Sequence, residues 1–434
     1  MKRMSWLTLL MLLLAMVLVA CGGSGDAEPE AEADDTATES GDDEAMDDEA
    51  MDEEVMDEMT CDDDLGCVEI GPDDPIHIAS ALVITGPNES LGLDSQHGVE
   101  IAISDRGDIN GHAIELQTED DGCSAEGGQA AGQKIASNPS IVGVIGTSCS
   151  GAGVPMAQIV CDAGIAMISP SNTAASLTGP ETRQPCYFRT AHNDNIQGRA
   201  MAVFVFEELG LTKAAAIHDG DPYTEGLASV FRDSFIELGG EIVAFEAEAA
   251  DATNVEPLLT TVAAAGPEII YYPVFIPLGS LITKTAKEID GLEGVVLAAA
   301  DGVQSPDFLD ASGDAATGMY VSGPDLNFGN DIYATFLETY LADYGTEPTA
   351  PFHAHAYDAT NMLMDAIEAV AQVGDDGSIL IGRQALIDQI GSTNGMPGIT
   401  GTISCDENGD CADPKIGVSQ VEDGAFNSVW NFNQ

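Results

Sequence analysis

Lysine and arginine are scarce: 13 of them stand against 74 aspartates and glutamates in 434 residues, a formal charge of −61. With so few cations the chain cannot neutralise a run of phosphates, which excludes nucleic acid as a partner. Cys-x-x-Cys is absent, which removes the usual paired-thiolate zinc sites. After Val19 no apolar run is long enough to cross a bilayer, so any signal the chain relays must pass through another protein. The acid excess is not confined to one end: 21 acidic residues lie between Gly22 and Asp64, leaving 53 beyond Asp64 against 11 Lys and Arg. A saline habitat and a lineage habit of acidic surfaces account for it equally.

What is present begins with Lys2 and Arg3, followed by the apolar run Trp6 to Val19, too short for a good spanning helix. Residues 1–20 are expected to be a signal peptide. Leu18-Val19-Ala20-Cys21-Gly22 resembles the lipobox of bacterial lipoproteins, so cleavage is expected before Cys21, whose lipidation would anchor the chain outside the cytoplasm at the cell membrane. From Gly22 to Asp64 the chain is almost all Asp, Glu, Ala, Met, Ser, Thr and Gly, a composition that cannot bury enough apolar area to offset its ordering entropy. Its Met residues recur at five-residue spacing, which drifts around a helix instead of lining one face. Residues 21–74 therefore read as a lipidated cysteine and a disordered acidic tether, on the order of 40 Å in reach.

Of nine cysteines, Cys21 is assigned to lipid and eight remain, an even number in a disulfide-permissive compartment. Cys61 and Cys67 bracket a small loop, and Cys405 and Cys411 bracket the turn-like Asp406-Glu407-Asn408-Gly409-Asp410. Cys123 with Cys149 and Cys161 with Cys186 would complete four bridges. A calcium loop starting at Asp406 would place Cys411 and Gly417 where Gly and Glu are needed. No metal and no cofactor is expected.

From Ile76 onward, short apolar runs alternate with helix-period segments. Strands are expected at Ile76 to Ile84, His112 to Glu119 and Ile141 to Ile145, with helices over Ser95 to Arg106 and Gly127 to Ser137 between them. After His192 the rhythm resumes: helix Gln197 to Leu209, strand Ala214 to His218, helix Glu225 to Leu238, strand Glu241 to Glu246, helix Val255 to Ala264, strand Ile269 to Tyr272. The fold class is α/β, with two doubly wound, mainly parallel sheets. Such sheets bind small molecules beyond the carboxyl ends of their strands. Two loops stand at such ends, Gly146-Thr147-Ser148-Cys149-Ser150-Gly151 and Ser169-Pro170-Ser171-Asn172-Thr173. Each offers hydroxyls and free N–H groups near a helix start, chemistry suited to a carboxylate and equally to a helix cap.

Over nearly all of Ile76 to Phe432 the chain resembles the leucine/isoleucine/valine-binding family of type I periplasmic binding proteins. Thr85-Gly86-Pro87 with Gly92 is similar to the family's first ligand loop. Asp121-Gly122-Cys123 and Cys149-Ser150 resemble the segments joined by its lobe-one disulfide, and Ile168 to Thr173 resembles its second ligand loop. Tyr187-Phe188-Arg189-Thr190, Asp221 to Gly226, Ile270-Tyr271-Tyr272 and Tyr357-Asp358-Ala359 follow in the family's order. The resemblance implies a two-lobed fold joined by a three-strand hinge: lobe one at 75–191 and 325–413, lobe two at 192–324 and 414–434. It implies an amino-acid ligand in the inter-lobe cleft, delivery to ABC permease subunits, a monomer, and no catalysis. Carried over, it puts Ser150 and Thr173 at the ligand's carboxylate and the Ser171 carbonyl at its ammonium, with Asn172 in the same loop. It brings Tyr223 and Asp301 from lobe two, Asp301 to pair the ammonium, and makes Leu91 and Phe275 walls. Leu91 stands where the family often has an aromatic and Cys405 where it usually has Phe, so the side-chain preference is open to amides or small organic acids.

A sensing lipoprotein of the same fold is the second reading. Hydrolysis is the third, since Gly146-Thr147-Ser148-Cys149-Ser150 nearly spells a nucleophile elbow, but its last Gly is Ser and no partner His is evident. His353-Ala354-His355 does not make a metal pair, because residues two apart on a helix point to different faces.

Overall fold

The computed structural model describes residues 59–432; the expected signal segment, Cys21 and the tether up to residue 58 lie outside them, whereas Cys67–Ile70, expected within the tether, forms a strand antiparallel to Ile379–Gly382. The first large sheet has five parallel strands, in the order Ile114–Asp120, Ile76–Leu82, Ile141–Gly146, Ala166–Ser169 and Tyr187–Arg189. Its central strand reads IVGVIG and every residue in it is buried, as a strand covered on both faces requires. Two helix pairs pack on this sheet, Glu89–Arg106 with His353–Val370 and Ala125–Ala136 with Ser150–Asp162. The second pair comes together at Gly128, where a Cβ would overlap the backbone of Ala152.

The second sheet has seven strands: Ala425–Asn431, Ile416–Glu422, Tyr320–Pro324, Val296–Ala300, Ile269–Tyr271, Lys213–His218 and Glu241–Ala247. From Tyr320–Pro324 onward they run parallel, and the two last in the chain add antiparallel. Hydrophobic clusters fill both of its faces, and one of them takes in Val83, just past the strand Ile76–Leu82, and Leu91, in the first turn of the helix Glu89–Arg106. The chain passes between the sheets three times, after Arg189, after Pro324 and before Ile416. Two of these crossings lie side by side, Asp325 donating its N–H to the Lys415 carbonyl at 2.8 Å.

Several elements begin earlier than periodicity suggests. The helix expected from Ser95 starts at Glu89 and the one expected from Gln197 starts at Asp194, because polar first turns carry no apolar period. The latter ends as an α-helix at Val203 and continues as a π-turn, Phe204–Glu208. The helix expected from Glu225 starts at Pro222, with Asp221 capping it and proline in its first turn, where its missing N–H costs nothing. All four expected disulfides are formed: Cys61–Cys67, Cys123–Cys149, Cys161–Cys186 and Cys405–Cys411. No helix among the described residues is long and apolar enough to cross a membrane.

Candidate functional site

The carboxyl ends of both parallel sheets open onto one small cavity. From the first sheet it takes Leu91, Ser148, Cys149, Ser150, Ser171 and Thr173; from the second, Tyr223, Phe275, Asp301 and Gly302; Phe352 completes the wall. Seven of the eight residues expected at a ligand thus share one cavity. Asn172, the eighth, is fully buried and does not line it. Its amide nitrogen donates to the Thr147 carbonyl at 2.9 Å and its oxygen accepts from Thr147 Oγ1 and the Tyr187 hydroxyl, so it ties the two first-lobe loops together from behind.

Those loops are over-determined. Fully buried Asp121 accepts from the Ser148 N–H at 2.6 Å and the Cys123 N–H at 2.7 Å, while the Cys123–Cys149 bridge joins the same two segments covalently. Burial is the largest influence on Asp121 and pushes its carboxyl up to about 7, although the backbone N–H groups favour the ion. The Ser171 hydroxyl donates to the Ser148 carbonyl at 2.7 Å. Arg189, buried and ion-paired with Asp410, donates to the carbonyls of Asn172 and Ala174, which pins the second loop to the Cys405–Cys411 turn. Cys405 stands in that turn and not at the cavity.

Ser150 opens the helix Ser150–Asp162, whose N-cap, Cys149, makes no side-chain capping bond. Ser150 and Thr173 place their hydroxyls on one side of the cavity. On the opposite side Asp301 is 4 % exposed. Its Oδ1 accepts from Gln197 Nε2 and lies 3.5 Å from the Tyr223 hydroxyl, which itself accepts from the Gly302 N–H at 3.2 Å. With the Gln197 amide nitrogen also directed at Ser322, the amide oxygen accepts from His192 Nε2. Burial raises the Asp301 carboxyl above its ordinary range; His192, Gln197 and Tyr223 offset this only in part.

Sequence reasoning missed two residues. Phe352 lies in a loop whose local pattern carries no signal beyond Pro351, yet its ring forms a wall and stacks near His192 at 6.1 Å. Asp194 reads as an ordinary first-turn acid, but it is fully buried, neither carboxyl oxygen meets a donor at hydrogen-bond geometry, and burial next to Asp301 raises it well above the usual range. His353 and His355 are both buried; His353 bonds the Ala350 carbonyl and the Tyr333 hydroxyl. Among the described residues no cluster of His, Cys, Asp or Glu could hold a metal ion. The Ser148 hydroxyl of the elbow-like run accepts from the Val83 N–H at 3.0 Å.

The cavity thus sets hydroxyl groups against a buried carboxylate across an apolar wall, and none of the described residues lining it is Lys, Arg or His. A model of the periplasmic binding protein family matches residues 75–425. The chain belongs to that family. This periplasmic binding protein is 28 % identical to Leu/Ile/Val-binding protein homolog 1 of Brucella abortus over 361 residues, 82 % of this chain and 93 % of the relative. It is also 28 % identical to a leucine-, isoleucine-, valine-, threonine- and alanine-binding protein of Pseudomonas aeruginosa, over 69 % of this chain and 79 % of that one. Among solved structures it resembles a leucine-binding protein of Thermotoga maritima, with a TM-score of 0.74, 26 % identity, and coverage of 82 % of this chain and 99 % of that one. The periplasmic binding protein fold, two lobes each built on a mainly parallel sheet, is therefore that of the whole described chain, and the family's place is outside the cytoplasm.

Proposed function

We propose that the protein captures an α-amino acid, branched-chain or similar, and hands it to the permease of an ABC importer. The observation that carries this reading is the pairing of opposites across the cleft. Asp301 is a buried acid with which no Lys or Arg among the described residues forms an ion pair; Arg189 is bound to Asp410. An uncompensated buried charge is costly, and a ligand ammonium supplies the missing partner. Ser150 and Thr173 then receive the carboxylate, and Tyr223 closes over the Cα. Leu91, Phe275 and Phe352 enclose an apolar side chain. The names of the relatives from Brucella and Pseudomonas support the same ligand class.

In this reading the lobes, 75–191 with 325–413 and 192–324 with 414–434, close about the three crossings, and the protein works as a monomer held to the membrane by lipid on Cys21. A thermal-shift screen over amino acids, amides and short organic acids tests the ligand class, since a solute at 100 times its dissociation constant stabilises by about 2.7 kcal/mol. Calorimetric titration of Asp301→Ala tests the site. Removing one partner of a buried pair costs about 3 to 5 kcal/mol, more than a hundredfold in affinity. Unchanged affinity would show that no ammonium is read there, and the ligand would be a neutral amide or an organic acid.

A further inference from the structure

The helix Ser150–Asp162, from the first sheet's lobe, and the helix Pro222–Glu237, from the second's, meet across the cleft at their N-terminal ends. Asp221 sits between them. Its Oδ1 caps its own helix, accepting from the Tyr223 N–H at 2.9 Å. Its Oδ2 lies against Gly151 of the other lobe, so that a Cβ built there would overlap the oxygen and stand 3.0 Å from Cγ. Asp221 is short and its Oδ1 is committed to Tyr223, so it cannot swing clear without uncapping the helix that carries Tyr223. The backbone at Gly151 has no left-handed φ that would call for glycine. Its lack of a side chain is explained by the approach of Asp221.

We propose that Asp221 is an inter-lobe latch: its carboxylate docks on the Gly151 end of the helix Ser150–Asp162 when the cleft closes, joining the two helix N-termini through one side chain. Burial and neighbouring Asp219 disfavour the charge in this position, while the N–H groups of Tyr223 and Gly151 favour it. The latch does not touch the cavity, but it stands one residue from Ser150 and two from Tyr223, so it sets the spacing of the two sides that would grip a solute. The inference rests on closure of the lobes and not on which solute fills them.

A second contact between lobes supplies a reporter that needs no ligand. Ser90 Oγ and Ser305 Oγ lie 2.7 Å apart. In the full chain carrying Ser90→Cys and Ser305→Cys, a disulfide at this point records each visit to the closed form. The parent should lock on exposure to oxidised glutathione. Adding Gly151→Ala should slow locking tenfold or more, although alanine is the better helix former. Adding Asp221→Ser, which keeps an N-cap but cannot span the gap, should slow it as well. The two together should slow it no more than the stronger alone, because both break one contact. Thermal denaturation of Gly151→Ala and Asp221→Ser in the otherwise unchanged protein shows that each still folds. A parent that does not lock, or variants that lock at the parent's rate, would overturn the latch, whatever the solute screen shows.

Discussion

Asp121 shows what a single buried acid can couple. Its carboxyl, pushed up to about 7 by burial, holds the segment bearing Ser148. Its folded pKa lies above the ordinary value of 3.8, so the folded state binds the extra proton. The stabilisation from that proton is complete below pH 3.8 and is lost as pH rises through 7. Wild type should therefore lose stability relative to Asp121→Asn across that window, by up to about 1.4 kcal/mol per pH unit. Denaturant unfolding of both proteins at several pH values measures the difference; a difference independent of pH would remove the group from the account. Residues of this kind were only half legible. Ser150, Thr173, Tyr223 and Asp301 could be placed because they follow strand ends in a recognisable order. Asp194 and Phe352 could not, since what brings them to the cleft is the packing of distant segments. The Ser171 hydroxyl also acquires a role that sequence reasoning did not give it: it bridges two loops, so Ser171→Ala should loosen them in addition to sparing the carbonyl.

At the scale of elements, one helix carries a covalent tie at each end. Cys149 stands at the N-cap position of Ser150–Asp162 and is bonded to Cys123; Cys161 stands in its last turn and is bonded to Cys186. The closed loops are of nearly equal length, with separations of 26 and 25 residues, so the loop-entropy model assigns each about 3.5 kcal/mol. Paired Cys→Ser variants should thus lose similar stability, but only Cys123→Ser with Cys149→Ser should also weaken solute binding, because that bridge sets the loop before Ser150. Melting temperatures alongside titrations separate the two effects, and equal affinity in both variants would place the binding contribution elsewhere. The alternation of strands and helices was readable because the buried strands are continuous apolar runs. Helix starts were not, at Glu89, Asp194 and Pro222, because capping residues and polar first turns interrupt the apolar period that reveals a helix.

The molecule as a whole carries its charge almost unopposed. Several of its few cations sit beside acids, Arg106 with Asp365 and Glu368, Lys134 with Glu119, Arg232 with Asp233 and Lys415 with Asp413. Exposed pairs of this kind contribute little to stability, so the remaining acids repel across both lobes. Repulsion opposes compaction and, because the lobes approach one another on closing, opposes closure too. The screening length falls from about 10 Å at 0.1 M salt to about 3 Å at 1 M. Raising sodium chloride between these limits at pH 7.5 should raise the melting temperature and speed locking of the Ser90→Cys, Ser305→Cys protein. Potassium chloride at equal ionic strength should do the same, since screening does not distinguish the two cations. Near pH 4, where many exposed carboxylates are protonated in part, both salts should do much less. A melting temperature that does not move with salt at pH 7.5, or that moves as far at pH 4, would mean that the charge is already balanced locally and that closure is limited by contacts such as the one between Asp221 and Gly151.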